Sequence, residues 1–307
     1  MSVVVCVPDE GSVELLRQGA LPDDVEIVVW DGTGEPAGGA RRTTFLVPPV
    51  EDADPIPAYL AAMPDLEVVQ PTTAGVEHLE GLIPDSVQLS TARGVHGGPV
   101  AELVTLLVLA SRRKLPHFLD AQREGRWDLV EGDDLVDAQV VIIGAGDLGE
   151  KTAARLAAFG AVTTLVGRTA RDGVRADTDL PELLATADVV VLTLPLTDDS
   201  RGMVDAGFLN RMPDGALLVN VARGQIVDTD ALLAELRTGR LAAALDVTDP
   251  EPLPDGHPLW SAPNTIVTPH AAGHVAPAGP RAFAYVRGQL ARYAAGEPLQ
   301  NVISGAY

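Results

Sequence analysis

The stretch Gln139-Val140-Val141-Ile142-Ile143-Gly144-Ala145-Gly146-Asp147-Leu148-Gly149 decides the fold. An apolar, β-branched run enters a G-x-G-x-x-G turn, and residues 151–159 beyond it carry a helical pattern. Gly144 serves the tight turn, Gly146 lets a pyrophosphate approach the backbone, and Gly149 lets the helix pack close to the strand. The helix N-terminus then faces the anion. Three glycines alone are a weak signal, equally at home in a structural turn. With a strand before them and a helix after, they predict a dinucleotide site.

Outward from this turn the same alternation continues. Further strands are expected at 162–166, 188–192, 216–220, 241–245 and 265–268. Between them fall a helix with Asp179 as N-cap and Pro181 in its first turn, and another over 230–237 behind Asp228 and Thr229. Six β units joined by right-handed crossovers predict a doubly wound sheet. Upstream, shorter strands are expected at 3–7, 25–30, 44–47, 67–70 and 87–90, with helices near 12–18 and 57–62. Strands apolar throughout argue for a second parallel sheet covered on both faces. The Gly-rich stretch 32–42, with its Arg pair, reads as an exposed loop.

Gly- and Pro-rich breaks at 94–99 and 271–280 divide the chain. A helix over 100–124 follows the first, and a last helix over 281–295 follows the second. The first half of the 100–124 helix is apolar nearly all round, with Leu103, Val104, Leu106, Leu107, Val108 and Leu109. It is therefore expected to be buried, within the chain or against another subunit. The fold class is α/β with two domains. The first, 1–96, is completed by 276–307, and the second, 97–275, carries the dinucleotide turn.

The chain has 307 residues, room for two domains of ordinary size. It carries 43 Asp and Glu against 22 Lys and Arg, a formal charge of -21, and Lys114 and Lys151 are its only lysines. Such a field repels nucleic-acid phosphates and anionic membranes, so neither is expected as a partner. Cys6 stands alone, which precludes an intramolecular disulfide and a cysteine-based zinc site and fits a reducing cytoplasm. No pattern of metal ligands is read. The start of the chain lacks a basic region, and no apolar run approaches the roughly 18 residues of a membrane span.

At the end of the second strand of a dinucleotide sheet, an acidic residue usually accepts hydrogen bonds from the ribose hydroxyls of NAD. Here the sequence is Val166-Gly167-Arg168-Thr169-Ala170-Arg171. A guanidinium at this place suits a 2′-phosphate, so NADP(H) is expected to be preferred, with NAD(H) possible. The competing reading makes Arg168 a solvated surface residue.

Ligands in an open α/β sheet sit beyond the carboxyl ends of the strands. The late strands are followed by Val221-Ala222-Arg223-Gly224, by Asp246 and Asp249-Pro250-Glu251-Pro252, and by Pro269-His270. One Arg, several carboxylates and one His thus converge on one edge. These groups suit carbonyl reduction. The forming alkoxide needs a proton from a near-neutral acid, which His supplies, and a carboxylate beside it raises the His pKa and holds the ring. An Arg can clamp a substrate carboxylate and polarise its keto oxygen. The expected roles are His270 as acid/base, Glu251 as its partner with Asp249 as rival, and Arg223 as clamp. In the competing readings Arg223 caps a helix or pairs with Asp228, Glu251 is an exposed loop acid, and His270 is a buried histidine satisfied by backbone.

These segments, with Leu194-Pro195-Leu196-Thr197 through Arg201-Gly202, the run from Met212-Pro213-Asp214-Gly215 through Asn220 to Gly224, 245–254 and Thr268-Pro269-His270, resemble the D-isomer-specific 2-hydroxyacid dehydrogenase family over nearly the whole chain. The resemblance implies a Rossmann cofactor domain plus a smaller flavodoxin-like substrate domain, a homodimer, and a small 2-keto or 2-hydroxy acid as substrate. It implies Arg223, Glu251 and His270 as catalytic. It also implies cofactor contacts from Gly144, Gly146, Asp147, Leu148, Gly149, Arg168, Thr169, Arg171, Leu194, Pro195, Val221, Ala222, Asp246 and Gly273, and from Arg223 and His270 themselves. Ala74, Gly75 and Val76 match a loop whose backbone amides hold the substrate carboxylate. The Gly167-Arg168-Thr169 replacement is closest to NADPH-preferring glyoxylate/hydroxypyruvate reductases. An NAD-linked oxidation in reverse, or a non-catalytic dinucleotide-sensing protein, are the alternatives.

Overall fold

β1 (Val3–Val7) is apolar and buried at every position, as a central strand covered on both faces must be. Residues 3–36, 38–49, 55–79 and 81–303 are described by this computed structural model. Residue 37 of the expected 32–42 loop, and the outermost residues of the first domain, 1–2 and 304–307, lie outside the described residues. The chain divides into two compact units, residues 1–96 with 275–307, and residues 97–274.

In the first unit β1 is followed by α1 (Glu10–Arg17), β2 (Val25–Val29), β3 (Phe45–Leu46), α2 (Ile56–Ala62), β4 (Val68–Val69) and β5 (Gln88–Leu89). The Asp9 carboxylate caps α1 by accepting from the Ser12 amide at 2.7 Å. All neighbouring strands pair in parallel in the order β2-β1-β3-β4-β5, the flavodoxin-like order. The expected loop at 32–42 closes with a helical turn at Ala40–Arg42. There Ala40 is buried, and Arg42 pairs with Glu26 on β2.

The second unit starts with α3 (Gly97–Arg112) and α4 (Leu115–Arg123). One helix over 100–124 is thus corrected to two. Lys114 takes a left-handed φ of 56°, and Pro116, lacking an amide hydrogen, fits only the first turn of a new helix. Nor is the first half buried all round: Val104, Leu107 and Val108 enter the core, whereas Leu106 is 56% exposed.

Next come β6 (Gln139–Ile143), α5 (Asp147–Ala157), β7 (Val162–Gly167), β8 (Val174–Ala176), α6 (Leu180–Leu184) and β9 (Val189–Leu192). They are followed by α7 (Ala206–Leu209), β10 (Leu217–Asn220), α8 (Thr229–Thr238), β11 (Ala242–Leu245) and β12 (Thr265–Val267). After them α9 (Ala278–Ala294) returns to the first unit, where Phe283, Val286 and Leu290 pack with Val3, Val5 and Val7. Asp228 caps α8 by accepting from the Ala231 amide. Asp179 holds the N-cap position of α6 as expected, but its side chain makes no capping bond: the carboxylate accepts from Arg175 Nε at 2.6 Å, and a short turn at Asp177–Asp179 leads into the helix.

The seven strands are all parallel, in the order β12-β11-β10-β9-β6-β7-β8. Read from β8, this is the doubly wound order, extended by the edge strand β12. Strand residues alternate between two cores: Val141, Ile143, Val190 and Leu192 on one face, and Val140, Ile142, Val189 and Val191 on the other. Order reverses between β6 and β9, so a crevice opens above their carboxyl ends. β8 has only three residues, Val174 buried, Arg175 exposed and Ala176 half-buried, too short a run for its alternation to stand out, which is why six strands were expected and seven occur.

Candidate active site

Gly144 stands at that reversal with φ of 115°, in the left-handed half of backbone space. A Cβ there would lie 2.6 Å from the Thr193 carbonyl carbon and 2.7 Å from the Leu194 amide nitrogen, just beyond β9. A Cβ at Gly149 would collide with the Gly144 carbonyl oxygen. The Thr193 hydroxyl donates to that same oxygen at 2.8 Å, a support that no motif announced. Gly146 caps α5 without a side chain, so nothing covers the first-turn amides from that position. Asp147 bears a like charge to a phosphate, but its carboxylate pairs with Lys151 at 2.6 Å. The turn therefore fits a dinucleotide pyrophosphate.

At the end of β7, Arg168, Thr169 and Arg171 are exposed. The Arg171 guanidinium folds back to donate to the Ala145 carbonyl within the glycine turn at 2.5 Å. Arg168 Nη2 lies 3.4 Å from Asp199 Oδ2, in the loop after β9. Leu194 and Leu148 are half-buried and Pro195 exposed, whereas Val221 and Ala222 are buried.

Three loops beyond β10, β11 and β12 carry the reacting groups. Asn220, itself buried, holds the first: its Nδ2 donates to the Arg223 carbonyl at 2.9 Å, and its Oδ1 accepts from the Ala222 amide at 3.0 Å. Gly224 then presses on the second loop, so closely that a Cβ would collide with the Thr248 carbonyl and sit 2.7 Å from the Asp249 amide nitrogen. Asp249 uses its carbonyl to accept from Thr229 at 2.9 Å.

The third loop is pinned by Asp246, 2% exposed. Its carboxylate accepts from the Thr268 hydroxyl and from the Ala271 and Ala272 amides, at 2.5, 2.9 and 3.0 Å. The His270 amide donates to the Asp246 carbonyl at 2.8 Å, which helps to hold His270 at a left-handed φ of 51°. For a residue with a Cβ that conformation costs on the order of 1–3 kcal/mol, which the surrounding bonds must offset. Gly273, three residues on, has open space around its α-carbon.

His270 Nδ1 and Glu251 Oε1 are 2.6 Å apart, each side chain about one-third exposed (37% and 33%). The hydrogen bond from His270 holds the Glu251 carboxyl below the usual carboxylate range. Partial burial opposes this shift, and the Arg223 charge reinforces it. Glu251, not its rival Asp249, is therefore the partner of His270. Asp228 is committed to capping α8, while Arg223 Nη1 donates to the Ala222 carbonyl. An ionised Glu251 on Nδ1 makes Nε2 the nitrogen that can pass a proton to a bound molecule.

In the first unit, the Thr73 hydroxyl donates to the Gly75 carbonyl at 2.9 Å, and His96 Nε2 lies 2.7 Å from the Thr72 carbonyl. Ala74 and Gly75 are half-buried, but the Val76 side chain is fully buried in that unit's core. Val76 can therefore meet a ligand only through its backbone.

An anion-ready turn at a strand reversal, with an imidazole, a carboxylate and a guanidinium gathered on the same sheet edge, defines a dinucleotide-dependent oxidoreductase. The family model for the D-isomer specific 2-hydroxyacid dehydrogenase NAD binding domain matches residues 105–272. A D-isomer specific 2-hydroxyacid dehydrogenase from Xanthobacter autotrophicus, solved with NADPH and MES, superposes with a TM-score of 0.85 at 33% identity, covering 99% of this chain and 98% of that one. An NADPH-dependent glyoxylate/hydroxypyruvate reductase from Sinorhizobium meliloti, solved with NADP and sulfate, does so with 0.83 at 29% identity, covering 99% and 98%. Human glyoxylate reductase/hydroxypyruvate reductase is 31% identical over 287 residues, 86% of this chain and 85% of that protein. The chain belongs to the D-isomer specific 2-hydroxyacid dehydrogenase family. Its reaction is an NAD(P)-dependent interconversion of 2-hydroxy and 2-keto acids.

Proposed function

We propose that the chain is an NADPH-preferring reductase of small 2-keto acids of the glyoxylate or hydroxypyruvate kind, giving the D-2-hydroxy acid. The observation that carries this reading is the 2.6 Å His270–Glu251 pair in the field of Arg223. Arg168 at the end of β7, where NAD sites usually have an acid, supports the cofactor preference. The names of relatives that cover nearly the whole chain support the substrate class.

The residues would divide the work as follows. Gly144, Gly146 and Gly149 with the start of α5 hold the pyrophosphate, assisted by Asp147, Leu148, Leu194, Pro195, Val221, Ala222 and Gly273 around the crevice. Arg168, Thr169 and Arg171 face the 2′-phosphate. The reduced nicotinamide, when bound, supplies a hydride. Arg223 binds the substrate carboxylate and draws electron density from its keto oxygen. Protonated His270 gives the Nε2 proton to the oxygen that becomes the hydroxyl, while Glu251 holds the ring and the positive charge. Asp246 keeps the His270 loop in place. Ala74, Gly75 and Val76 in the first unit would bind substrate through backbone amides.

A homodimer is also proposed. Leu106, Leu115, Leu119, Trp127 and Leu129 are exposed along α3, α4 and the segment after them, Trp127 completely. Large apolar side chains left exposed along one stretch of chain suit an association surface. Scattering in solution is expected to return twice the chain mass, and a monomer would remove this proposal. A reducing, cytoplasmic location is proposed from the single, buried Cys6, whose thiol burial pushes up to about 12. Among the described residues no helix is long and apolar enough to cross a membrane.

The test is a panel of 2-keto acids with NADPH and with NADH, followed at 340 nm. Consumption of NADPH with glyoxylate or hydroxypyruvate, at a kcat/KM above that with NADH, is expected. Turnover of neither compound, or a ratio below one, would overturn the substrate or the cofactor assignment respectively.

A further inference from the structure

The carboxylate missing from the end of β7 is restored at the same corner by another loop. Asp199 follows β9, whereas Arg168 follows β7, and the strand order β9-β6-β7 puts the glycine turn after β6 between them. The Asp199 loop is well anchored. The Ser200 hydroxyl, in a residue 5% exposed, donates to the Pro195 carbonyl and accepts from the Thr197 amide, both at 2.8 Å. The Ser200 and Arg201 amides donate to the Thr197 carbonyl at 3.1 and 2.9 Å. Asp199 itself stays exposed, its carboxylate 3.4 Å from the Arg168 guanidinium.

We infer that Asp199 sets how strongly the protein prefers NADPH over NADH. The inference rests on the proposed role of Arg168 at the 2′-phosphate. An ionised carboxylate beside that guanidinium repels a phosphate and competes with it for the same hydrogen-bond donors. For NADH the sign reverses, because a carboxylate accepts hydrogen bonds from the ribose hydroxyls and a phosphate is absent. Asp199 therefore keeps NADH usable in a site that Arg168 biases toward NADPH.

Both side chains are mostly exposed, so the expected effect is modest and sensitive to salt. Dissociation constants of NADPH and NADH are to be measured by fluorescence titration without substrate, for the unaltered protein, Asp199→Asn and Arg168→Ala. Asp199→Asn is expected to raise the ratio Kd(NADH)/Kd(NADPH) about fivefold at low salt, with most of the gain lost near 0.5 M salt. A rise of less than about twofold, with Arg168→Ala still weakening NADPH about tenfold, would overturn the role of Asp199 and leave that of Arg168 standing. If Arg168→Ala leaves NADPH binding unchanged, the Arg168 reading fails and the inference falls with it.

Discussion

His270→Ala is expected to lower kcat by about two to four orders of magnitude, the range that a positioned general acid contributes. NADPH binding, measured by fluorescence without substrate, is expected to change far less, because the pyrophosphate turn belongs to β6 and α5. Near-normal turnover would remove His270 from the proton-donating role. The partner has its own signature in the pH profile. The Glu251 carboxyl titrates below its usual value in the folded protein, chiefly because His270 donates to it. Its stabilising contribution is thus complete above the unfolded pKa and is lost as pH falls through the folded pKa. An ionised neighbour favours the imidazolium, so Glu251→Gln is expected to move the alkaline fall of the reduction rate to lower pH. An unmoved limb would make Glu251 a mere loop acid.

Gly224→Ala is expected to be nearly as damaging although it removes no reacting atom. Its added Cβ would occupy the place of the Thr248 carbonyl, and backbone, unlike a flexible side chain, cannot swing away. The loops bearing Arg223 and Glu251 must then separate. Overpacking of this kind costs about 1–3 kcal/mol of stability, and misplacement by about 1 Å can cost about 10²-fold in rate. The expected result is a lower melting temperature together with a roughly hundredfold lower kcat/KM. A variant with unaltered kinetics would show that the two loops are not held in register by this contact. Substitution of Gly273, where space is open, is the control expected to disturb packing little.

Much of this site was legible along the chain because it depends on short-range order. The strand 139–143 is legible to the residue, since four consecutive β-branched apolar positions behind Gln139 end abruptly at Gly144. Asp228 was readable as a cap because capping is a contact over three residues. Reading failed where a distant or weak interaction decided. Lys114 breaks a helix whose apolar pattern runs on, and β8 pairs with β7 over only three residues, too few for their alternation to stand out. Thr193 lies in no motif, and Asn220 and Thr268 stand in motifs with no role of their own assigned, yet each fixes a loop of the site through a side-chain hydrogen bond.

Sequence alone determined the layered α/β order, the glycine turn and the chemical types waiting at each strand end. These follow from side-chain periodicity and from conformations that only glycine adopts cheaply. Tertiary structure alone decided that Glu251 rather than Asp249 meets His270, and that Asp199 reaches Arg168 across an intervening strand. Hydrogen bonds and ion pairs act over about 3–4 Å, and residues 19 and 31 positions apart come that close only when parallel strands bring their loop ends together.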